Sequence, residues 1–330
     1  MYPIYFICFM LGHVLMGMFK LRQTKKMGIS YLKKLEKEYQ GKFDAALFNK
    51  VVKFQSVLLH FVNEVFVQLY NRSITKKEQL LNTQYLLMTA IYDELIDSKK
   101  IDEDALNEMF YHPEKVNTQD FHEKVLIHLH LTLLNEVPDK TKYWETIHQI
   151  HIAQKKSSKQ FCTQIQLGEI IEITLEKGGY SLLMCRHYMQ DPISNEVDKC
   201  WYALGGLIQM TNDLYDTFKD SKEGIQTFAN TSGTISDIAS IYQYQKMVLN
   251  KAIAQLPMSS FAKSRFAIRL ALIPSFGDLA IEQISNYRIT FPIFTNINSI
   301  TRKHLIIDME KTINKIRLIY FSYKNGNKWK

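Results

Sequence analysis

The chain is poor in residues that interrupt helices. Its 330 residues include only 7 Pro and 13 Gly, and no proline lies between Pro3 and Pro113 or between Pro192 and Pro257. Runs of strict apolar–polar alternation, the usual sign of a half-buried β-strand, are also missing, so the sequence predicts no β-sheet. Instead, apolar residues recur at steps of three and four, most regularly over residues 47–69. This spacing is typical of amphipathic helices, so the sequence predicts an all-α fold.

The sequence signatures of several enzyme classes are absent too. Four cysteines occur, and their scattered positions favour neither a zinc site nor a disulfide framework. The chain has no HExxH motif, glycine-rich phosphate loop, nucleophile elbow or dinucleotide fingerprint. No Ser/Gly linker, low-complexity tract or repeat divides it. The simplest interpretation is one helical domain, residues 27–330, preceded by a distinct segment, residues 1–26.

Positive charge is concentrated near the two ends of the chain. The net charge is +8, and residues 20–37 hold seven Lys/Arg against one acid, while residues 302–330 hold eight against two. Such ends can neutralise a diphosphate, rest against an anionic membrane surface, or simply be solvated helix faces. No nucleic-acid-binding module accompanies the charge, so nucleic acid is not an expected partner.

The first residues form an apolar segment followed by basic residues. Residues 2–19 are almost continuously apolar, and Lys20, Arg22, Lys25 and Lys26 follow. A signal peptide would carry its positive charge before the apolar stretch. The alternatives are a membrane anchor, an apolar helix packed on the core, and a start assigned too far upstream. Because the run is shorter than the roughly 20 residues that span a bilayer, we expect a non-spanning segment in a cytoplasmic protein, with peripheral membrane contact as the open alternative.

The most informative stretch lies between residues 212 and 220. Asn212, Asp216 and Asp220 are four and eight residues apart, so on a helix all three side chains leave one face. Three hard oxygen ligands on adjacent turns suit Mg²⁺, which usually shares phosphate oxygens with a substrate. Lys219, between them, can meet a phosphate as a point charge. Stepping back along this face leads to Gly205, which allows a ligand or a neighbouring helix to approach the backbone closely.

A second acidic cluster lies more than a hundred residues upstream. Asp93 and Asp97 are again four apart, with Glu94 beside them, and small or apolar residues lead into them along the same face. Carboxylates at the end of an apolar stripe indicate the mouth of an apolar pocket. Alone, such a short acidic motif is more often a solvated helix face. The two clusters together favour a site for metal ions and phosphate.

With both motifs in this order, the chain resembles the class I isoprenoid synthase superfamily, which includes terpene synthases and squalene and phytoene synthases. Residues 93–97, DELID, are similar to the DDxxD motif of that superfamily. Residues 212–220, NDLYDTFKD, are similar to the terpene synthase pattern NDxxSxxKE. They are equally similar to the second phytoene synthase motif, where a Gln three residues earlier is typical, as at Gln209. Asp216, where cyclases often have Ser, leans towards the squalene/phytoene-like branch and its class IB terpene synthases.

The resemblance covers residues 27–330 and implies a fold, a cofactor and a reaction. The implied fold is a single-domain antiparallel helical bundle around a central active-site cavity. The implied cofactor is a cluster of up to three Mg²⁺ ions, and the substrate a linear prenyl diphosphate of the C15–C25 range. Loss of diphosphate would leave a carbocation in an apolar, aromatic cavity. The implied metal ligands are Asp93, Glu94, Asp97, Asn212, Asp216 and Asp220.

Further residues acquire roles only through the resemblance. Lys219 is the main predicted diphosphate contact, and Arg186 is a weaker one, with pairing to a surface acid as its alternative. Arg317 and Tyr320 are predicted to form a lid contact from the C-terminal helix, although no aligned motif places them there and Arg317 can equally be a solvated basic residue.

Gly178 and Gly179 resemble the glycine-broken helix that these enzymes place beside the active site. A plain turn between two helices is the alternative interpretation of this glycine pair.

The sequence leaves three functions open. The prediction is a terpene synthase that cyclises or rearranges one prenyl diphosphate. The first alternative is head-to-head condensation of two prenyl diphosphates, as in squalene and phytoene synthases. The second is a non-catalytic, membrane-associated helical protein that binds lipid or partner helices. Chain elongation with isopentenyl diphosphate is less favoured, because the second motif departs from the DDxxD of that branch.

Overall fold

The computed structural model describes residues 3–97, 101, 103–162, 164–287 and 289–329. For residues 3–11, 13–19, 97 and 103 the description covers the backbone alone. Within this described part the elements are helices joined by turns and loops, and no strand occurs. The predicted all-α class is therefore confirmed.

Sixteen α-helices occur in the described part of the chain, and short 3₁₀ or π segments extend or join several of them. In chain order they are α1 (Pro3–Glu38), α2 (Ala45–Leu58), α3 (Glu64–Val67), α4 (Lys76–Asp97), α5 (Glu103–Tyr111), α6 (Phe121–Glu136), α7 (Lys140–Ser157), α8 (Leu167–His187), α9 (Asn195–Glu223), α10 (Phe228–Thr231), α11 (Ile235–Ala254), α12 (Ser260–Leu270), α13 (Leu272–Ser285), α14 (Ile293–Asn296), α15 (Arg302–Leu305) and α16 (Thr312–Gly326).

Short polar side chains determine where several helices begin. Asp44 accepts a hydrogen bond from the Leu47 amide, 2.8 Å away, at the start of α2, and Asp120, Thr234 and Ser259 cap α6, α11 and α12 in the same way. Each cap satisfies an amide that has no partner within its helix. At the other end of α9, Gly224 has a φ of 78°. Glycine adopts this left-handed conformation without steric cost, so α9 ends there.

The chain divides into two compact units. The first comprises residues 1–10, 144–186 and 192–330, and the second comprises residues 11–143 and 187–191. In the first unit, α9 packs against α11 and α13, and α13 packs against α16. In the second unit, α4 packs against α2 and α6.

Each unit buries its own apolar core. In the first, Trp201 and Leu204 on α9 and Ile238 on α11 are fully buried. In the second, Leu87 on α4 and Leu129 on α6 are fully buried. Removing such side chains from water is the main favourable contribution to folding.

One predicted helix boundary is wrong. The predicted break at Gly178 and Gly179 does not occur, because α8 continues without interruption through both residues. The interruption lies earlier instead, between the end of α7 at Ser157 and the start of α8 at Leu167. Further along the chain, α12 ends at Leu270 and α13 begins at Leu272, so Pro274 lies in the first turn of α13. Proline suits the first turn of a helix, where its missing N–H is not needed.

Candidate functional site

The polar face of α9 is the centre of the candidate site. Asn212, Asp216 and Asp220 lie on this one uninterrupted helix, so their spacing of four and eight residues places them along one face. Asn212 and Asp220 are half-buried and Asp216 is exposed. Three oxygen-bearing side chains can therefore be reached from solvent along about two turns of helix.

Asp213, seven residues before Asp220 and so nearly in line with it along α9, lies at the edge of this face and is buried. Its carboxylate accepts hydrogen bonds from the Thr174 hydroxyl of α8, at 3.0 Å, and from the Gln209 amide, at 3.1 Å. Burial raises the pKa of Asp213 to about 6, although both hydrogen bonds and the charge of Lys177 act to lower it. Asp213 therefore ties α8 to α9 at the buried edge of the polar face.

Asp220, at the C-terminal end of this face, has a strongly raised pKa. Burial, followed by repulsion from Asp213 and Asp216, raises its pKa to about 7, while Lys219 acts to lower it. Crowded carboxylates favour protonation because like charges in a partly desolvated place repel one another. A bound cation would relieve the same repulsion, so this end of α9 is electrostatically suited to one.

Two lysines lie near these carboxylates. Lys219 is 64% exposed, and its amino group is 3.7 Å from the carboxylate of Glu223. An exposed pair of this kind stabilises a protein by only about 0.3–0.5 kcal/mol, so Lys219 can exchange Glu223 for a phosphate at little cost. Lys177 on α8 is half-buried, and its charge reaches Asp213. It is a second cation near the carboxylates of α9.

Glycines allow α8 and α9 to approach each other closely beside the polar face. A Cβ on Gly178 would overlap the carbonyl oxygen of Gly205, and a Cβ on Gly205 would overlap the carbonyl oxygen of Gly178. Gly179 is covered by the ring of Tyr202. The prediction that Gly205 permits close approach of a neighbouring helix is confirmed, and the glycine pair serves helix packing where a break was predicted.

The upstream acidic motif lies in the other compact unit. Asp93 and Glu94 are half-buried on the last turns of α4, and one carboxylate oxygen of Glu94 is buried without a hydrogen-bond partner in the described part of the chain. The side chain of Asp97 lies outside the described residues. Convergence of this motif with the polar face of α9 stays a prediction.

The remaining predicted contacts have partners of their own or are open to solvent. Arg186 is buried, donates a hydrogen bond to the carbonyl oxygen of Pro192 and lies 3.7 Å from Asp198. These contacts connect the end of α8 to the start of α9. Its predicted role towards diphosphate would require this arrangement to change.

The two predicted lid residues lie on α16. Arg317 donates to a carboxylate oxygen of Glu282, 2.8 Å away, and Tyr320 is 59% exposed. Their contact with a diphosphate stays a prediction.

The carboxylate and amide oxygens on α9 are of the type that Mg²⁺ prefers. Among the described residues, no three His, Cys, Asp or Glu side chains lie close enough together to hold a metal ion. Mg²⁺ is usually bound through one or two carboxylates, with water and substrate phosphate completing its coordination. Asp216 and Asp220 can supply these carboxylates, and Asn212 can add an amide oxygen.

No protein-family model, no curated protein and no solved structure matches this chain. The resemblance to class I isoprenoid synthases therefore stays a prediction, made from the two acidic motifs and their order. Among the described residues, no helix combines the length and apolar character needed to cross a membrane.

Sequence reasoning missed three residues of the site: Asp213, Thr174 and Lys177. A signal existed for Asp213, since it lies seven residues before Asp220 and therefore nearly in line with it on a helix. Thr174 and Lys177 are three residues apart on α8, next to Gly178, and so share the face that meets α9. Recognising them required knowing that the helix continues through the glycine pair.

Proposed function

We propose that this protein is a Mg²⁺-dependent terpene synthase of the squalene/phytoene-like branch, which ionises a linear prenyl diphosphate and cyclises or rearranges the resulting carbocation. The observation that carries the proposal is the row of Asn212, Asp216 and Asp220 on one helical face. The unfavourable charge at Asp220 supports it, because carboxylates crowded in this way are suited to a cation.

The side chains of α9 would supply the metal-binding part of the reaction. Asn212, Asp216 and Asp220 would hold Mg²⁺, and the resemblance implies Asp93, Glu94 and Asp97 as further ligands. Bound Mg²⁺ would act as a Lewis acid that stabilises negative charge on the departing diphosphate. Lys219 would add a further positive charge for the diphosphate oxygens.

The bond changes follow from the substrate class. The allylic carbon–oxygen bond breaks, and its electron pair leaves with the diphosphate. The remaining carbocation accepts π electrons from a double bond of the same chain, which closes a ring. The final cation loses a proton to form an alkene, or adds water and then loses a proton to form an alcohol. The aromatic residues of the chain, 12% of its composition, could stabilise the cation through their ring faces.

Asp213 would act as a positioning residue in this arrangement. Its hydrogen bonds to Thr174 and Gln209 hold α8 against α9. The rotation of α9 then determines where the three ligands point. Because Asp213 is buried, its contribution would come through these contacts and not through the substrate.

Product analysis is the experiment that tests the proposal. Purified protein would be incubated separately with C10, C15, C20 and C25 prenyl diphosphates, with Mg²⁺ or with a chelator, and products and released diphosphate would be measured. A cyclic or rearranged product of unchanged carbon number, formed only with Mg²⁺, is expected. A doubled carbon skeleton would indicate head-to-head condensation. Release of diphosphate from none of the substrates would reject the enzymatic function and favour the non-catalytic lipid- or partner-binding protein.

A pair of variants on α9 tests the site. Asp216→Ala is expected to abolish turnover, with a loss of at least 10²–10³-fold, as for other groups that stabilise charge in a transition state. Its helical circular dichroism should remain, because Asp216 is exposed. Glu196→Gln, an exposed acid in the first turn of the same helix, is the matched control and should retain activity. Full activity of Asp216→Ala would remove the site assignment.

A further inference from the structure

The outward face of α16 carries an apolar stripe. Ile313, Ile316 and Tyr320 follow one another at steps of three and four, so they share one side of the helix. Their exposed fractions are 58%, 57% and 59%. Large apolar side chains grouped in this way are less common on a protein surface than scattered ones and indicate a contact with something outside the chain.

The opposite face attaches α16 to its own unit. Asn314, Leu318 and Ser322 are buried, and α16 packs against α12 and α13. Asn325 adds a hydrogen bond of 2.8 Å to Asp278 of α13. The helix is thus anchored along one side, and the apolar stripe is presented outward by a fixed element of the fold.

The charge around this stripe is mainly positive. Residues 311–330 contain six Lys or Arg and no acid. Lys311, Lys315, Lys324 and Lys328 are exposed, and Lys324, four residues after Tyr320, continues the same face. The amino group of Lys311 lies 3.9 Å from a carboxylate oxygen of Asp308, a weak ion pair at the surface. The surface therefore combines an apolar row with an excess of positive charge.

This combination fits an anionic lipid surface better than a protein. A stable protein interface covers about 800 Å² on each partner, far more than three half-exposed side chains provide. Interfacial helices, in contrast, need only a shallow apolar face with basic residues beside it. Lysine side chains can extend past apolar neighbours to place their charges among lipid phosphates.

We propose that α16 is a membrane-contact helix, on which Ile313, Ile316 and Tyr320 enter the interface of an anionic phospholipid bilayer while Lys311, Lys324 and Lys328 contact the headgroups. This contact is separate from the acidic face of α9 and does not depend on the proposed catalytic activity. It also gives the positive C-terminal region a specific geometric role.

Vesicle flotation with the full chain tests this proposal. Vesicles of phosphatidylcholine alone would be compared with vesicles that also contain phosphatidylserine. Binding is expected to the anionic vesicles, and it should weaken as salt is added, because salt screens charges at the membrane surface. Ile316→Ser should lower the partition coefficient about tenfold through the loss of one buried apolar side chain. The double variant Lys324→Gln, Lys328→Gln should lower it about 30-fold.

Matched controls separate this surface from the rest of the protein. Phe161→Ser replaces a side chain that is 60% exposed elsewhere in the same unit, and Lys251→Gln removes an exposed lysine from α11. Both should bind vesicles as the unsubstituted chain does. All variants keep residues 1–26, so any contribution of that segment is the same in each. Circular dichroism verifies that every variant is folded.

Three outcomes would overturn the proposal. Vesicle binding by Ile316→Ser equal to that of the unsubstituted chain would place the contact elsewhere. Equal binding to neutral and anionic vesicles would remove the role of the lysines. A dimer in the absence of lipid that Ile316→Ser dissociates, seen by analytical ultracentrifugation, would assign the stripe to a second copy of the chain.

Discussion

Gly178 and Gly205 meet where α8 crosses α9, and each leaves no room for a side chain on the other. A Cβ on either residue would overlap the backbone carbonyl of its counterpart. Asp213 lies close to this crossing. Thr174 is one helical turn from Gly178 and Gln209 is one turn from Gly205, and both side chains donate a hydrogen bond to the Asp213 carboxylate. The closeness of the two helices therefore determines how the polar face of α9 is presented.

Gly178→Ala is predicted to destabilise the protein. The added methyl group cannot be accommodated without moving α8 from α9, and overpacking of this kind costs about 1–3 kcal/mol or more. Gly168→Ala on the same helix is the control, because nothing lies within 4 Å of a Cβ at that position. It should be neutral or stabilise by up to about 1 kcal/mol. Urea denaturation of both variants measures the difference, and equal stability would contradict the close crossing.

Thr174→Val is predicted to cost about 1.5–3 kcal/mol, because it removes a hydrogen bond to a buried charged group without changing side-chain shape. Thr217→Val is its matched control. Both threonines are almost completely buried, but the Thr217 hydroxyl bonds only to backbone carbonyls of its own helix. The control should therefore lose less free energy of unfolding. If chemical denaturation gave both variants the same loss in free energy of unfolding, the hydrogen bond to Asp213 would contribute no more stability than one to a backbone carbonyl.

The polar face of α9 could be predicted from the sequence, because spacing alone determines which side chains share a face on an uninterrupted helix. The hydrogen-bond partners of Asp213 could not be predicted. Thr174 lies 39 residues before Asp213, and whether the two side chains meet depends on how α8 and α9 are rotated against each other. The predicted break at Gly178 and Gly179 failed for a related reason. Glycine within a helix costs only about 1 kcal/mol, and the close packing of two helices can offset that cost.

The N-terminal half was harder to predict. The regular apolar spacing of residues 47–69 predicted a helix, and the structure has one there. A π-helical segment, Leu59–Asn63, interrupts it. Such a segment shifts side-chain directions by a fraction of a turn, which periodicity cannot reveal in advance. The position of Asp93 relative to α9 depends on long-range packing, and the spacing of residues within one motif carries no information about it.

Asp220→Asn is predicted to stabilise the metal-free protein in a pH-dependent way. An aspartate in an unfolded chain has a pKa of about 3.9, whereas that of Asp220 is raised to about 7, mainly by burial. Between these values the folded protein binds more protons than the unfolded chain. The contribution of Asp220 to stability is therefore full below about pH 4 and is lost as the pH rises through about 7.

Thermal melts from pH 4 to pH 8 would measure this effect. The difference in Tm between Asp220→Asn and the unsubstituted chain should increase with pH and level off above about pH 7. Glu145→Gln, an exposed acid on α7, should show no comparable trend. A difference independent of pH would mean that Asp220 has no raised pKa.

Mg²⁺ is predicted to stabilise the protein, and more strongly at pH 8 than at pH 6. Metal ligands must be deprotonated, and raising the pH through about 7 deprotonates Asp220. A ligand that binds only the folded state at about ten times its Kd raises the free energy of unfolding by about 1.4 kcal/mol. Thermal melts with Mg²⁺ or a chelator would measure the increase, which inorganic diphosphate should enlarge. Asp216→Ala should lose the increase and Glu145→Gln should keep it. A response to Mg²⁺ that survives in Asp216→Ala would show that the ion binds somewhere other than the polar face of α9.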